Sequence, residues 1–437
     1  MATEKFSLFS VAAIVIANMI GTGVFATLGY QLVDIQSGFV ILCLWVLGGL
    51  VAVCGALCYA ELGARLPRSG GEYNFLGRIY HPLAGFISGW ISATVGFAAP
   101  TALAAITFGT YLSSVFPVLP PLLLATALVV ILALVHATSH RYSAGLQNIF
   151  TLAKICVIVV FSVTALVVVD AFQPIRFVPD STDIGAFASG TFAVALIYVG
   201  YAYSGWNAAT YLIDEIDNPA RILPPVLAVG TGIVMLLYVL LNSVFLLVAP
   251  VDALTGQLEV GTIAAGYAFG DLGATIIGVT VALLLVSTVS AMIVAAPRVL
   301  QVIGEDYSIF RYLSRVNNHD IPARAILIQG MIALVFMWSA SFESILIFAG
   351  ATMALNTLFA VIGLIVLRRR QSHHETGHVA AARPVFKVPW YPLPPIIFIG
   401  VTGWTLVYLV IERPVEILFS VGIIATGAAG YFMAKRF

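Results

Sequence analysis

Runs of about twenty mostly apolar residues recur along this chain, separated by short polar connections. They fall near 7–31, 37–63, 83–113, 119–138, 147–169, 188–213, 222–248, 262–297, 323–340, 342–367, 390–411 and 414–434. Each matches the roughly 20 residues a helix needs to cross the hydrocarbon core of a bilayer. The apolar character extends round the whole helix, as a lipid-facing or bundled span requires. The pattern therefore predicts an all-α membrane protein of twelve transmembrane helices with no extramembrane domain.

Composition supports this reading. Of 437 residues, 61% are hydrophobic and 9% are charged, against roughly 25% charged in soluble proteins. Twenty basic residues balance twenty acidic ones, which argues against a nucleic-acid partner. Charge placement orients the spans. With the N-terminus in the cytoplasm, 17 of the 20 Lys and Arg fall in inner connections or tails. Only Arg176 and Arg413 lie outside, and Lys154 lies within a span. Positive residues concentrate on the cytoplasmic side of membrane proteins, so both termini are predicted to be cytoplasmic.

The four cysteines, Cys43, Cys54, Cys58 and Cys156, sit inside apolar runs, and no disulfide is expected from them. The first apolar run continues into a full span with no cleavage-site pattern. The most polar stretch, 371–389, carries His373, His374 and His378 before Pro384, and reads as a cytoplasmic linker. No metal or other cofactor is called for. The seven histidines lie in connections or at helix ends, there is no HExxH pattern, and paired intramembrane carboxylates are missing. The sequence thus speaks against an enzyme. A channel is disfavoured too, for want of a filter-like repeat.

Two spans do not read as plain helices. The first carries Gly21-Thr22-Gly23 at its middle, and the sixth carries Tyr203-Ser204-Gly205-Trp206-Asn207. Mid-helix glycine costs about 1 kcal/mol. Small residues also serve close helix packing, the reading that suits Gly48, Gly49 and Gly55 in the second span. Interruptions at corresponding places in two halves point instead to a transporter site. Unwinding the first span would expose amides at the start of its outer half, where a carboxylate binds favourably. Carbonyls before the break would attract an ammonium. One amino acid supplies both groups, and Thr22 adds a hydroxyl.

At these residues the chain resembles the amino acid–polyamine–organocation superfamily, most closely its L-type and other neutral amino acid transporters. The matching runs are Ile20-Gly21-Thr22-Gly23-Val24-Phe25, then Tyr59-Ala60-Glu61-Leu62-Gly63 with Pro67, Ser69-Gly70-Gly71 and Tyr73. They continue with Tyr201-Ala202-Tyr203-Ser204-Gly205-Trp206-Asn207 and Asp214-Glu215-Ile216 with Asn218-Pro219 and Arg221. The resemblance implies a LeuT-like fold of two inverted five-helix repeats, 1–170 and 188–367, with two peripheral helices at 390–434. It implies that carbonyls of Met19, Ile20, Tyr201, Ala202 and Ser204 hold the substrate ammonium, and that Thr22 with the amides of Gly21 and Gly23 holds the carboxylate. Tyr203 and Trp206 would line or gate the pocket, and Asn207 would orient the unwound segment.

Lys154 is the lone basic residue inside a span, and intramembrane lysines are functional by default. Either it snorkels to the headgroups, or its ammonium takes the place of a bound sodium. In the second case it would reach the first span and a hydroxyl from Ser287, Thr288 or Ser290, which implies sodium-independent transport. A lysine that cycles its proton would make a proton-coupled symporter, and one that stays charged a facilitator or exchanger. Glu61, and Asp214 and Glu215 with Arg221, read as inner salt bridges or gate elements. Asn356 faces either the cavity or the core.

No acidic or arginine side chain is predicted near the breaks. Neutral substrates are therefore favoured over cationic or acidic ones, and small Thr22, Ser204 and Gly205 favour alanine-, serine- or cysteine-sized side chains. A cationic amino acid or polyamine antiporter is the alternative. Residues 114–119 contain no cysteine, so no disulfide-linked heavy subunit is expected. The compact termini suggest a prokaryotic inner membrane.

Overall fold

In the computed structural model of the chain, the structure describes residues 6–138, 144–317, 321–374 and 386–436. Lys5, Arg141, His378, Arg383 and Pro384 lie outside the described residues. The described chain is helical, with no strand. An isolated bridge joins Phe6 to Ile216.

The helices are α1 (Leu8–Met19), α2 (Thr22–Asp34), α3 (Gly38–Arg65), α4 (Glu72–Ile79), α5 (Pro82–Ile91), α6 (Ala98–Val115), α7 (Pro121–Thr138), α8 (Ala144–Val168) and the single turn α9 (Asp183–Ala186). They continue with α10 (Gly190–Ala202), α11 (Pro219–Val248), the turn α12 (Val251–Leu254), α13 (Val260–Asp306), the turn α14 (Arg311–Ser314), α15 (Ala323–Ser339), α16 (Phe342–His374), α17 (Leu393–Glu412) and α18 (Pro414–Arg436). Among the described residues, ten helical segments are long and apolar enough to cross a membrane, and α10 and α15 are shorter apolar helices. The ends follow local chemistry. Ser37 and Ser189 cap α3 and α10 by accepting from Val40 N and Phe192 N. Proline opens α5, α7, α11 and α18, where its missing N–H is unneeded.

The outer surface is apolar. Leu134, Val135, Val160, Val163, Leu418 and Phe419 are all at least half exposed, as a hydrocarbon solvent allows and water would not. Inside, α3 packs on α11, and α6 packs on α13. The first half-span α1 meets α8 and α11, while α10 meets α16 and α3. The pair α6 and α7 contacts α13 and α15. The last two helices, α17 and α18, lie outside these groups, against α3, α5, α10 and α16.

Small residues set the closest approaches of α3. A Cβ on Gly48 would lie 2.3 Å from Val199 Cγ1, one on Gly49 2.3 Å from Met235 Cγ, and one on Gly55 2.6 Å from Phe398 Cε2. The packing role read from the sequence is therefore what these glycines perform. Two features were not read there. α13 runs 47 residues and bends at Gly270, whose φ is 70°. The third span contains a π-helical turn, Ser92–Gly96, between α5 and α6. Such turns interrupt the regular ladder and cluster at functional sites. α16 continues to His374, past the expected end at 367.

The Gly48 contact is testable. Val199 is β-branched and stiff, so Gly48→Ala is expected to destabilise the protein by about 1–3 kcal/mol. Gly400, with nothing within 4 Å of its would-be Cβ, is the control. Thermal unfolding of the detergent-purified protein should show a lower midpoint for Gly48→Ala and none for Gly400→Ala.

Candidate substrate site

Both suspected helices are broken. α1 ends at Met19, and α2 begins at Thr22 after Gly21, whose φ and ψ are −141° and −145°. α10 ends at Ala202. A non-helical stretch then leads to a 3-10 segment, Ala208–Glu215. Gly205 within that stretch has φ +101°, a conformation that only glycine adopts readily.

The two breaks abut. A Cβ on Gly23 would stand 2.3 Å from Ala202 Cα, and one on Gly205 would stand 2.7 Å from Asn18 O. Each break thus supplies a glycine where the other's backbone arrives. The freed carbonyls find donors, as a dry interior demands. The Tyr238 hydroxyl on α11 lies 2.5 Å from Met19 O and 3.2 Å from Ala202 O. With one proton, it donates to one of them at a time.

A cavity of about 590 Å³ opens beside the breaks. Asn18, Gly21, Thr22, Gly23, Tyr201 and Ser204 line its upper part. It runs along α1 down to Ser10 and Phe6, where Ser69, Glu215 and Glu305 border it. The opposite end is closed. A Cβ on Gly29 would lie 1.9 Å from Gln257 O, and Gly256 N donates to Gly29 O at 2.8 Å. Tyr30 stacks on Phe342 at 5.5 Å and meets Tyr198 edge-on. The Tyr198 hydroxyl donates to Glu343, which pairs with Arg413.

The remaining candidates distribute as follows. Met19, Ala202, Asn207 and Asn356 also border the cavity, whereas Ile20 is buried outside its wall. Tyr203 and Trp206, expected to line or gate the pocket, do not border the cavity. Both rings pack toward α3. The Tyr203 hydroxyl donates to Trp45 O at 3.0 Å, and Trp206 meets Tyr59 edge-on at 4.8 Å. Tyr201, two residues before Tyr203, borders the cavity, as do Tyr73, Phe97 and Tyr211.

Lys154 is 3% exposed, which excludes snorkelling. Its ammonium donates to Thr288 Oγ1 at 2.9 Å and to Ala17 O at 3.4 Å. Of the three candidate hydroxyls, Thr288 is the partner. Ser287 donates to Leu284 O, and Ser290 pairs with His136 Nε2 at 2.7 Å. Thr288 also stands at the break, its Cγ2 3.4 Å from a would-be Cβ on Gly21.

Glu61 is fully buried and away from the cavity. It joins Arg65 and Arg368 and accepts from Val388 N at 2.7 Å, tying α3 to the end of α16 and to the segment before α17. Asp214 and Glu215 were expected to pair with Arg221. Among the described residues Arg221 makes no ion pair with either. Asp214 instead exchanges bonds with Ser69, accepting from Ser69 N at 3.0 Å and giving its own N–H to Ser69 Oγ at 2.9 Å.

One expectation is overturned outright. Glu72, the first residue of α4, brings a carboxylate to the sixth-span break, 2.6 Å from Asn207 Nδ2, and borders the cavity. Sequence distance hid it. The flanking Gly70-Gly71 was the available signal, since two glycines let a loop approach a neighbour closely. Tyr238 was also missed. Its signal was a hydroxyl in mid-span that must find a partner.

The sequence of a family of amino acid permeases matches residues 6–431. The chain belongs to that family. Relatives of this permease include the b(0,+)-type amino acid transporter 1 of Mus musculus, 27% identical over 98% of this chain and 88% of the relative. The large neutral amino acids transporter small subunit 2 of Homo sapiens is 28% identical over 98% of this chain and 80% of the relative. The permease is accordingly grouped with membrane transporters of amino acids and not with enzymes.

The abutting breaks generate a test. Gly205→Ala must place a side chain at φ +101° and against Asn18 O. A strain of about 1–3 kcal/mol on the competent state corresponds to roughly a five- to hundredfold loss. Initial rates of amino acid transport in proteoliposomes are expected to fall within that range at equal protein incorporation.

Proposed function

We propose that this permease exchanges small neutral L-amino acids across the membrane without sodium, by alternating access. The observation that carries the reading is the pair of abutting breaks beside one cavity. The amides at Gly21 and Gly23 and the Thr22 hydroxyl would receive the carboxylate. The carbonyls of Met19, Ile20, Tyr201, Ala202 and Ser204 would receive the ammonium, with Tyr238 yielding one carbonyl to the ligand.

Lys154 supports sodium independence. Its Nζ already bridges Ala17 O of the first span and Thr288 of α13, and would supply a positive charge between the two when protonated. Glu72 at the cavity is the observation favouring a cationic amino acid or polyamine substrate. Its two oxygens already accept from Tyr59, Asn207 and Tyr211, which leaves it poorly placed to hold a second ammonium. Neutral substrates remain the preferred reading.

The packing partners support twelve spans arranged as a five-plus-five inverted repeat. Spans one and six, counted so, meet spans five and ten in turn, and spans seven and two in turn. With the positive-inside orientation, both termini are cytoplasmic and the cavity reaches inward, while Gly29, Tyr30, Tyr198 and Phe342 close the outer side. Cysteine is missing between α6 and α7, which supports a permease without a disulfide-linked heavy subunit. A prokaryotic plasma membrane is the proposed location.

Proteoliposomes preloaded with unlabelled alanine test this reading. Labelled alanine should enter equally with sodium or choline outside, and should compete with serine and cysteine but not with arginine. Uptake that needs no internal substrate and follows a proton gradient would establish the symporter instead. Lys154→Ala is expected to lower exchange at least tenfold. An unchanged rate and pH profile in that variant would remove the lysine from the mechanism.

A further inference from the structure

The inner half of the sixth span is not held by regular helix hydrogen bonding. It is a 3-10 segment, non-helical at Leu212 (φ −120°, ψ 20°), so its polar groups depend on partners outside it. The loop between α3 and α4 supplies them. Gly71 N donates to Thr210 O at 3.2 Å, and Ser69 and Asp214 exchange their reciprocal pair. Gly70 and Gly71 have positive φ, and a Cβ on Gly71 would stand 2.8 Å from Tyr211 Cε1. The Gly-Gly step is therefore what lets this loop lie against the segment.

Glu72 is the centre of the contact. It is 1% exposed and makes no ion pair among the described residues. Its Oε1 accepts from Tyr59 at 2.8 Å and Asn207 at 2.6 Å, and its Oε2 accepts from Tyr211 at 2.5 Å. A buried carboxylate held only by neutral donors binds them strongly, because each bond is charge-assisted and none can be exchanged for water. Asn207 and Tyr211 both belong to the sixth span, one at the close of the unwound stretch and one in the 3-10 segment. Two bonds to one carboxyl plane thus fix the pitch between them.

We propose that Glu72 is a positioning residue for substrate, acting through Asn207 to fix the unwound stretch 203–207. Ser204 at the cavity wall is then presented at a set angle although Glu72 touches no ligand. The inference rests on the reading that the breaks hold the substrate. It adds that their inner half is set by a carboxylate from a different helix.

The test uses the full-length permease in proteoliposomes, with exchange of labelled alanine measured against concentration. Glu72→Gln keeps one acceptor oxygen but presents an amide donor to neighbouring donors. We expect it to raise KM about tenfold while the maximal rate changes less than threefold. A merely structural role would lower the maximal rate through lost active protein and leave KM alone, and that result would overturn the proposal. Asn207→Ala should raise KM similarly, and the double variant should match Asn207→Ala alone. Effects that multiply in the double variant would show independent action and also overturn it.

If Glu72→Gln does not fold, Tyr211→Phe removes one bond from the other side and should raise KM at least threefold. A wild-type KM there counts against the proposal. Thr22→Val separates the two levels. Wild-type KM in both Thr22→Val and Asn207→Ala means that the site reading has failed. A raised KM in those two with an unchanged KM in Glu72→Gln refutes the positioning role alone.

Discussion

Everything in this permease follows from breaking two helices where no water can repair them. A freed carbonyl inside hydrocarbon costs several kcal/mol unless a donor meets it. The structure answers with donors from outside the broken helices. Tyr238 serves the ends of α1 and α10, and Lys154 serves Ala17 one turn earlier. Reciprocal glycine contacts, Gly23 on Ala202 and Gly205 on Asn18, bring the breaks close enough for one hydroxyl to reach both. The bonds are few, and in the proposed function Tyr238 would release one of its two carbonyls to the ligand.

The same constraint explains why the two sides of the breaks are held differently. Toward Gly29 the chain is sealed by backbone contact and stacked rings, backed by the Glu343–Arg413 ion pair. Toward Phe6 it is held by hydrogen bonds, from Phe6 N to Glu215 O and from the 69–72 loop to the 3-10 segment. A side held by discrete bonds has alternative arrangements of similar energy. A side held by dense packing resists continuous deformation and moves as a unit. An asymmetry of this kind suits a bundle that rocks between two states.

The spans were legible because their signal is composition over about twenty residues, and no tertiary contact can override it. Nine of the twelve apolar runs correspond to single helices within a few residues at one end or both, whereas the first and the sixth are split at the expected glycines and the third carries a π-helical turn. The breaks were legible through Gly21 and Gly205, where an apolar pattern is interrupted by residues costly to a helix. The partner of Lys154 was narrowed to three hydroxyls and no further, because the choice among Ser287, Thr288 and Ser290 depends on helix rotation. Rotation also misled the reading of Tyr203 and Trp206. Both pack toward α3, and the sequence does not show which way a side chain points where a helix ends. Glu72 and Tyr238 were out of reach for a different reason. Their partners lie 135 and 219 residues away along the chain, and only folding makes them neighbours.

The arrangement also bears on why a site for a zwitterion would keep its formal charges engaged. A ligand with one ammonium and one carboxylate gains nothing from a net field, whereas a free lysine or glutamate beside it would favour an anion or a cation. Partial charges at helix ends, about half an elementary charge each, bind both groups of one molecule without that bias. Lys154 is turned to Thr288 and Ala17, and Glu72 is saturated by three neutral donors. Both groups are engaged by the protein beside the proposed site, so that helix-end dipoles would meet the ligand there. Discrimination among neutral substrates would then fall to volume, through the small side chains at Thr22 and Ser204 and the aromatic Tyr201 beside the breaks.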